Sequence, residues 1–540
     1  MPWTQVTDPL HHIALSAGIA FVPILVIFYF LIIKKAPGHI ASLLTLLSAV
    51  LIVLLIYRMP FTLIASSALN GALYGLFPIC WIILNALFLF NLTVKSGQFE
   101  IIKNFMASVT PDRRLQALLI AFSFGAFLEG TGGFGAPVAI SASILIGLGF
   151  DPLYAAGICL IANTSPVPFG SIGTATIMAS KVSDIPEMAV SQMIGRTLPI
   201  LSLILPMYLS VIMCGWNKSK QIMPAIFTAG FTFAFVQWYS SNYLGPYLPD
   251  VLAGIATIFA LMVLLKYWKP KENWRFDHEP PQTIDTVLHH SSGEVLRAWS
   301  PFIVMSLFVI AWGIPSIKTA LNHLGFIKFD IPGLKDTIYK SDGNLLAIKP
   351  FEINYLSATG TAVLLADLVC IPVIGLSFGE GWIVFKQTLR QLIIPAITVS
   401  SVLAFAFVAN YSGMSTSIAK ALASTGTLFP FFSPILGWLG VFLTGSDTSS
   451  NALFCKLQST TADAIGVHPV VTVAANASGG VAGKMISPQS IAIAAASVGL
   501  TGKEHHLFRF TIKHSFIMLI ILSIITLLQA YVFKWLIPVY

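Results

Sequence analysis

Apolar runs of helical length recur from one end of this 540-residue chain to the other. Hydrophobic residues make up 56% of the sequence and charged residues only 10%, whereas a soluble domain has roughly 25% charged residues. The charges cluster between the apolar runs, while a soluble protein of this length would interleave them with its core. The pattern therefore predicts an all-α polytopic membrane protein.

Two kinds of apolar run can be separated by their interruptions. Stretches 115–150 and 431–466 are interrupted by Gly, Ser and Thr, and each is predicted to form a re-entrant hairpin. The other twelve runs are predicted to span the bilayer at 12–33, 39–57, 63–94, 152–179, 193–215, 221–243, 250–267, 299–315, 354–378, 381–410, 469–498 and 510–535.

Basic residues concentrate in alternate loops. If both termini lie outside, these loops are all cytoplasmic, as the excess of Lys and Arg in cytoplasmic loops requires. The net charge of +8 therefore indicates topology rather than a nucleic-acid partner. The basic loops carry Lys34/Lys35, Lys95/Lys103/Arg113/Arg114, Lys218/Lys220, Lys269/Lys271/Arg275, Lys386/Arg390 and Lys503/Arg509.

A polar stretch near the middle of the chain divides it into two halves. Residues 268–298 contain Pro280-Pro281 and charges of both signs, and they are too few and too polar to bury a core. We therefore expect a cytoplasmic linker between a first half, 1–267, and a second half, 299–540.

The two halves share an internal repeat. Span 39–57 and its counterpart 354–378 run in opposite directions, so the sequence predicts inverted repeats over about 39–215 and about 354–535. Three pairs of segments match at nearly one offset: 125–131 with 440–446 at 315, Ser96-Gly97 with Ser412-Gly413 at 316, and Asn163 with Asn476 at 313.

Each predicted repeat contains two stretches in which Gly and Pro are too dense for a regular helix. The hairpin tips are 129–137 and 444–451, and the following spans are interrupted at 163–173 and 476–488. Helix ends at such breaks present free N–H groups and a positive dipole end, which suit a carboxylate. The alternative is that the glycines only allow close helix packing, but the symmetric placement favours a binding site.

Polar and glycine residues at these breaks are the predicted contacts to a small carboxylate substrate. Their hydroxyl, amide and backbone groups can hydrogen-bond an anion. The candidates are Thr131, Gly132, Gly133, Asn163, Thr164, Ser165, Ser446, Thr448, Ser449, Asn476, Ser478 and Lys484.

Ionisable residues inside the apolar regions are expected to face the protein interior and to have partners. Glu129 and Asp447 lie at the two tips, and a carboxyl group in a low-dielectric site can carry a proton with the substrate. A permanently paired structural carboxylate is the alternative for both. Lys484 either binds the substrate carboxylate or neutralises Asp447. No functional role is expected for Asp367, which lies mid-span outside the breaks.

No catalytic or metal-binding motif competes with this interpretation. The sequence has no HExxH and no GxSxG, and its five cysteines form no CxxC pair. The string GTGGFG at 130–135 follows a predicted membrane segment rather than a strand, so it does not predict a dinucleotide site. An enzyme, a metal site and an organic cofactor are therefore not expected.

Three long strings resemble the bacterial L-lactate permeases, and the similarity extends over essentially the whole chain. They are GAFLEGTGGFGAPVAI at 125–140, WLGVFLTGSDTSSNALF at 438–454 and GKMISPQSI at 483–491. The resemblance implies uptake of L-lactate, D-lactate and glycolate in symport with H⁺ across the bacterial cytoplasmic (inner) membrane. It also implies an elevator-type carrier, in which hairpins and broken helices move against a scaffold, commonly in a homodimer.

Three other functions remain open at this point. One is sodium-coupled carriage of another small carboxylate, and a second is a passive channel. The third, a membrane-embedded enzyme acting on a lipid or peptide, would need a nucleophile or metal cluster that the sequence does not show.

Overall fold

The computed structural model describes residues 2–34, 36–133, 135–276 and 290–540. Lys35, Phe134 and residues 277–289, which include Pro280-Pro281 of the predicted linker, lie outside the described residues. The described part of the chain is mostly helical.

The helices of the first half are α1 Ile13–Phe28, α2 Gly38–Leu55, α3 Phe61–Tyr74, α4 Trp81–Lys95, α5 Gln98–Ser108, α6 Arg113–Gln116, α7 Gly125–Thr131, α8 Ala136–Gly147, α9 Pro152–Ala162, α10 Gly170–Ser183, α11 Glu187–Ile194, α12 Leu198–Lys220, α13 Met223–Tyr239 and α14 Pro249–Tyr267. Those of the second half are α15 Ser292–Gly313, α16 Pro315–Leu324, α17 Thr359–Val373, α18 Phe378–Ser412, α19 Met414–Ala423, α20 Phe429–Thr444, α21 Asp447–Ala464, α22 Pro469–Lys484, α23 Pro488–Ser497 and α24 Glu504–Tyr531. Short π-helical stretches at Tyr29–Ile33, Gly75–Cys80, Ala117–Phe124 and Ser240–Leu244 extend or connect several of them.

Nine helical segments among the described residues are long and apolar enough to cross a membrane. A tenth span results if Pro152–Ala162 and Val167–Ser183, which meet at a bend of 69°, count as one. The chain is therefore a multi-pass helical membrane protein, as predicted. The nine are Ile13–Leu31, Gly38–Leu55, Phe61–Lys95, Glu187–Lys220, Pro249–Tyr267, Ser292–Gly313, Phe378–Ser412, Gly426–Thr444 and Glu504–Tyr531.

By length and hydropathy, the described helices give nine or ten membrane spans, fewer than the twelve that the sequence predicts. Predicted spans 221–243 and 354–378 contain the shorter helices α13 and α17, and 469–498 is divided between α22 and α23. Conversely, Gly426–Thr444 is long enough to span, although the sequence predicts it as half of a hairpin.

The only strands in the described ranges form two small two-stranded sheets, so the fold is not purely helical. Strand β1, Trp3–Thr4, pairs in parallel with β3, Ile338–Tyr339. Strand β2, Ile327–Phe329, pairs antiparallel with β4, Phe351–Ile353. The first pairing places the N-terminal tail and segment 316–353 on the same side of the protein, as the predicted topology requires.

The long helices pack in two groups. In one, α18 packs against α2, α3 and α4, and α17 packs against α4 and α15. In the other, α20 packs against α21, α22 and α24, α7 packs against α14, and α8 packs against α23. The ends of α7, α10, α20 and α22 lie within the second group.

The predicted break at 476–488 is wrong over most of its length, because α22 is helical from Pro469 to Lys484. The chain leaves the helix only at 485–487. A Cβ atom on Gly479 would lie 2.6 Å from the Cα of Pro434, and one on Gly483 would lie 2.9 Å from the backbone nitrogen of Phe442. These glycines therefore serve close packing of α22 against α20, which offsets their low helix propensity.

Candidate functional site

A cavity of about 880 Å³ lies where the two helix groups meet. One wall is formed by the start of α2, at Gly38 and His39, and by the middle of α18, from Ile394 to Val399. The opposite wall is formed by residues at the helix breaks. The cavity is therefore bounded by both helix groups.

Four helix N-termini line that second wall. They are Gly135 at the start of α8, Thr174 at the start of the regular part of α10, residues 446–449 at the start of α21 and residues 488–490 at the start of α23. The first backbone N–H groups of a helix have no partner within it, and the helix dipole makes this end positive. The arrangement thus favours an anion, as the sequence predicts.

A buried ion pair joins the two halves of the chain at this cavity. The Nζ of Lys484 lies 2.5 Å from Oε1 of Glu129. The amide of Asn163 donates a hydrogen bond of 3.1 Å to the other carboxylate oxygen, Oε2. Glu129 is 3% and Lys484 9% exposed, and both line the cavity. The structure thus pairs Lys484 with Glu129, not with Asp447 as one of the two sequence interpretations proposed.

The Glu129 carboxyl group occupies space that a side chain at position 170 would take. A Cβ atom on Gly170 would lie 2.7 Å from Oε1 and 3.0 Å from Cγ of Glu129. Glycine at the start of α10 therefore allows the carboxyl group to reach Lys484.

The backbone after Gly170 is left-handed over three residues. Ser171, Ile172 and Gly173 have φ values of 46°, 56° and 72°. For a β-branched residue such as Ile172 this conformation is strained, and such strain is found where the surrounding structure enforces a functional geometry. The turn directs the hydroxyl of Ser171 to the carbonyl oxygen of Gly132, a hydrogen bond of 3.2 Å. The two breaks of the first half are thus joined to each other.

Asp447 begins α21 beside the ion pair. Its Oδ2 accepts a long hydrogen bond of 3.5 Å from Asn451, and its Oδ1 has no hydrogen-bond partner within the described residues. The charges of Lys484 and Glu129 both act on it. Asp447 lines the cavity, so a substrate can reach it.

The other predicted contacts divide into two sets. Ser446, Thr448 and Ser449 line the cavity. A second set is buried but does not line it: Thr131, Gly132, Gly133, Asn163, Thr164, Ser165, Asn476 and Ser478.

Several members of the buried set have other partners. The hydroxyl of Thr131 bonds to carbonyls of its own helix. Ser165 bonds to the side chain of Ser202. Asn476 donates to Asn451 at 2.9 Å and accepts from Gln458 at 3.2 Å, within helix packing.

The sequence profile described as L-lactate permease matches residues 16–533. The chain belongs to the L-lactate permease family. It is 50% identical over 564 residues to the L-lactate permease of Bacillus subtilis strain 168, with 100% of both chains covered. It is 47% identical to the L-lactate permease of Escherichia coli K12, covering 99% of this chain and 100% of that one. It is also 47% identical to the E. coli K12 glycolate permease, with 98% of each chain covered.

Membership in the L-lactate permease family makes the chain a transporter and not an enzyme.

Sequence reasoning missed part of the site in this L-lactate permease family member. Gln489 and Ser490 line the cavity at the start of α23, where Ser487 caps the helix by accepting a hydrogen bond from the Ser490 backbone N–H at 3.2 Å. The Ser-Pro-x-Ser string is a helix-start signal that could have identified them. His39, Glu504, His505 and Phe508 also line the cavity. The buried carboxyl group of Asp250 was also missed.

Proposed function

We propose that this permease takes up L-lactate and related 2-hydroxymonocarboxylates, D-lactate and glycolate, together with protons across the bacterial cytoplasmic membrane. The family and the names of its relatives support the substrate class. The ion pair of Glu129 and Lys484 at the cavity is the observation that supports proton coupling.

The coupling follows from competition for one cation. A substrate carboxylate that enters the cavity finds its strongest partner in the Lys484 ammonium, which Glu129 already holds. Binding therefore displaces the Glu129 carboxylate from its counter-ion. An ionised carboxylate left unpaired in a buried site is costly, so Glu129 takes up a proton. One proton then accompanies each monocarboxylate, and the loaded site keeps the charge of the empty one.

Release reverses these steps. When the substrate leaves, Glu129 loses its proton to the water of the cavity, and its carboxylate forms the ion pair with Lys484 again. Asp447 is the second coupling candidate, because its unpartnered oxygen lies at the same cavity under the charge of Lys484. Glu129 is preferred because it holds the ion pair.

The substrate's 2-hydroxyl group has suitable partners beside the charge pair. The hydroxyl groups of Ser446, Thr448 and Ser449 and the amide of Gln489 line the cavity. Each can both donate and accept a hydrogen bond, so they fit a 2-hydroxy acid better than a plain fatty acid.

The proposed architecture is a pair of inverted repeats that work as an elevator. Two helical segments of 35 residues each, Phe61–Lys95 and Phe378–Ser412, occupy corresponding positions. Both end at a Ser-Gly pair in which the glycine is left-handed, with φ of 75° at Gly97 and 88° at Gly413. In this proposal the group that holds the helix breaks, with its hairpins, moves against the group of α2 and α18, and a homodimer stabilises that scaffold.

The orientation is part of the proposal. With both termini outside, the cavity-lining residues His39, Glu504 and His505 belong to helix ends on the cytoplasmic side. In this proposal the cavity opens to the cytoplasm, where lactate is released. Linker 268–298 is placed on this same side, between halves 1–267 and 299–540.

Uptake of labelled L-lactate into proteoliposomes tests the function. We expect accumulation that follows an imposed inward proton gradient and ignores a sodium gradient. Accumulation driven by sodium alone would favour the sodium-coupled alternative. Equilibration without accumulation under either gradient would indicate a passive channel and overturn the proposal.

A further inference from the structure

Asp250 is a buried carboxyl group that the cavity does not reach. It is the second residue of α14, its side chain is 0% exposed, and it is not among the residues that line the cavity. Neither carboxylate oxygen has a hydrogen-bond partner among the described residues. In a membrane protein such an unpartnered acidic side chain is unfavourable as a carboxylate, so it is a candidate for a functional role.

The packing of α14 places Asp250 against Gly130, the residue that follows Glu129. A Cβ atom on Gly130, the residue after Glu129, would lie 3.0 Å from the Cβ of Asp250. One turn along α14, a Cβ on Gly254 would lie 2.8 Å from the Cβ of Phe127. The missing side chains let α7 and α14 cross closely, so the carboxyl group reaches the helix that carries Glu129.

The groups that act on Asp250 come from three neighbouring helices. They are Glu129 of α7, Gln237 of α13 and Lys484 of α22. Glu129 and Lys484 neutralise each other, so no free cation within the described residues is left for Asp250. An ionised carboxylate without a counter-ion is unfavourable in this buried position, which favours the protonated form of Asp250.

We propose that Asp250 is a second proton carrier, which supplies the proton that Glu129 takes up when substrate binds. This inference rests on the proton symport proposed above. When the substrate carboxylate binds Lys484, the O–H bond of the Asp250 carboxyl group breaks and an O–H bond forms on Glu129. Because neither oxygen of Asp250 lies within hydrogen-bond distance of Glu129, the proton passes through a bridging water molecule. Asp250 is left as the carboxylate and regains a proton from water before the next cycle. Glu129 later loses its proton to the cavity, so one proton crosses per substrate.

Asp250→Asn tests the inference, because asparagine keeps the shape of the protonated acid and cannot release a proton. Two measurements in proteoliposomes are needed: L-lactate accumulation under an inward proton gradient, and exchange of external for internal L-lactate at equal pH. We expect D250N to reduce accumulation by about tenfold or more, as loss of a proton-transfer group does. Exchange should persist, since Glu129 and Lys484 remain and no net proton movement is required.

Asp367→Asn is the matched control. Asp367 of α17 is also 0% exposed, and neither of its carboxylate oxygens has a hydrogen-bond partner within the described residues. It belongs to the other helix group, so D367N should retain both accumulation and exchange. Accumulation by D250N at the wild-type level would overturn the inference while leaving proton symport intact. Loss of exchange as well as accumulation in D250N would show a structural role and also overturn it. Wild-type protein that does not respond to the proton gradient would overturn the proposed function and this inference together.

Discussion

The ammonium group of Lys484 lies 2.5 Å from Oε1 of Glu129, although the two residues are 355 positions apart in the sequence. One residue ends α22 and the other lies in α7, so this buried charge pair joins the two halves of the permease. Both groups line the cavity, and in the proposed mechanism an arriving anion opens this pair.

Lys484→Met should weaken substrate binding in exchange as well as in accumulation. Methionine has a similar length but no charge, and a hydrogen bond to a charged group contributes about 1.5–3 kcal/mol. The apparent affinity for L-lactate should therefore fall about tenfold to a hundredfold, as measured by the concentration dependence of exchange. Lys456→Met is the control, since Lys456 pairs with Asp184 at 3.0 Å on the surface. An unchanged affinity in K484M would remove Lys484 from the binding site.

Glu129→Gln should abolish proton-driven accumulation and leave exchange intact. In the wild type, each bound anion brings one proton with it, so the apparent affinity for L-lactate should fall as the pH rises, by up to about tenfold per pH unit. Glutamine is permanently neutral, and exchange by E129Q should not depend on pH. Asp447→Asn is measured beside it and should keep the pH dependence. If D447N loses the pH dependence and E129Q keeps it, Asp447 is the coupling residue.

Gly170→Ala should disrupt the ion pair without a change of charge. The added methyl group would lie 2.7 Å from Oε1 of Glu129, so the carboxyl group must move away from Lys484. The backbone at Gly170, with φ of −62°, accepts alanine without strain. We expect reduced accumulation and exchange by a protein that still folds, judged by a single peak in size-exclusion chromatography. Gly147→Ala is the control, because nothing lies within 4 Å of a Cβ there; equal transport by both variants would contradict the prediction.

Arg114→Ala should destabilise the fold rather than the site. Arg114 is fully buried, pairs with the buried Asp112 at 2.6 Å and donates to the backbone carbonyl oxygens of Lys218 and Glu272. Removal of one member of a buried ion pair costs about 3–5 kcal/mol, because the other charge is left unpaired. The thermal unfolding midpoint of the purified protein should fall clearly.

The exposed lysine of a surface pair provides the comparison for this measurement. Lys103 pairs with Glu100 at 2.9 Å, and the Glu100 side chain is 64% exposed. Such a pair contributes at most about 1 kcal/mol, so Lys103→Ala should change the midpoint little. An R114A protein that unfolds at the same temperature as K103A would show that the buried pair does not stabilise the fold.

The positions of the helix breaks could be predicted from the sequence because local composition decides them. Gly132 and Gly133 end α7, and Gly445 ends α20, where no regular helix can continue. The glycines of α22 predict a break in a segment that is helical in the structure. They are equally dense, but they pack against α20, a tertiary contact that local composition does not contain. Asn476 is therefore in the middle of a helix, and its side chain bonds within the protein instead of lining the cavity.

The partners of the charged residues could not be predicted, because a pairing between distant residues depends on the fold. Lys484 is closer in sequence to Asp447 than to Glu129, yet it pairs with Glu129. Asp250 was missed for a different reason. It follows Pro249 at the start of a helix, where acidic residues are common on protein surfaces because they favour the helix dipole. Only the structure shows that this helix start is buried.

The four helix N-termini around the cavity have a consequence for how substrate range can change during evolution. Much of the attraction for a negative charge there comes from peptide N–H groups, which no side-chain replacement removes. Mutations in residues such as Thr448 or Gln489 can thus alter the size and hydroxyl pattern of the preferred acid while its carboxylate is still recognised. New specificities within this scaffold should accordingly arise among carboxylic acids far more readily than among neutral or cationic solutes.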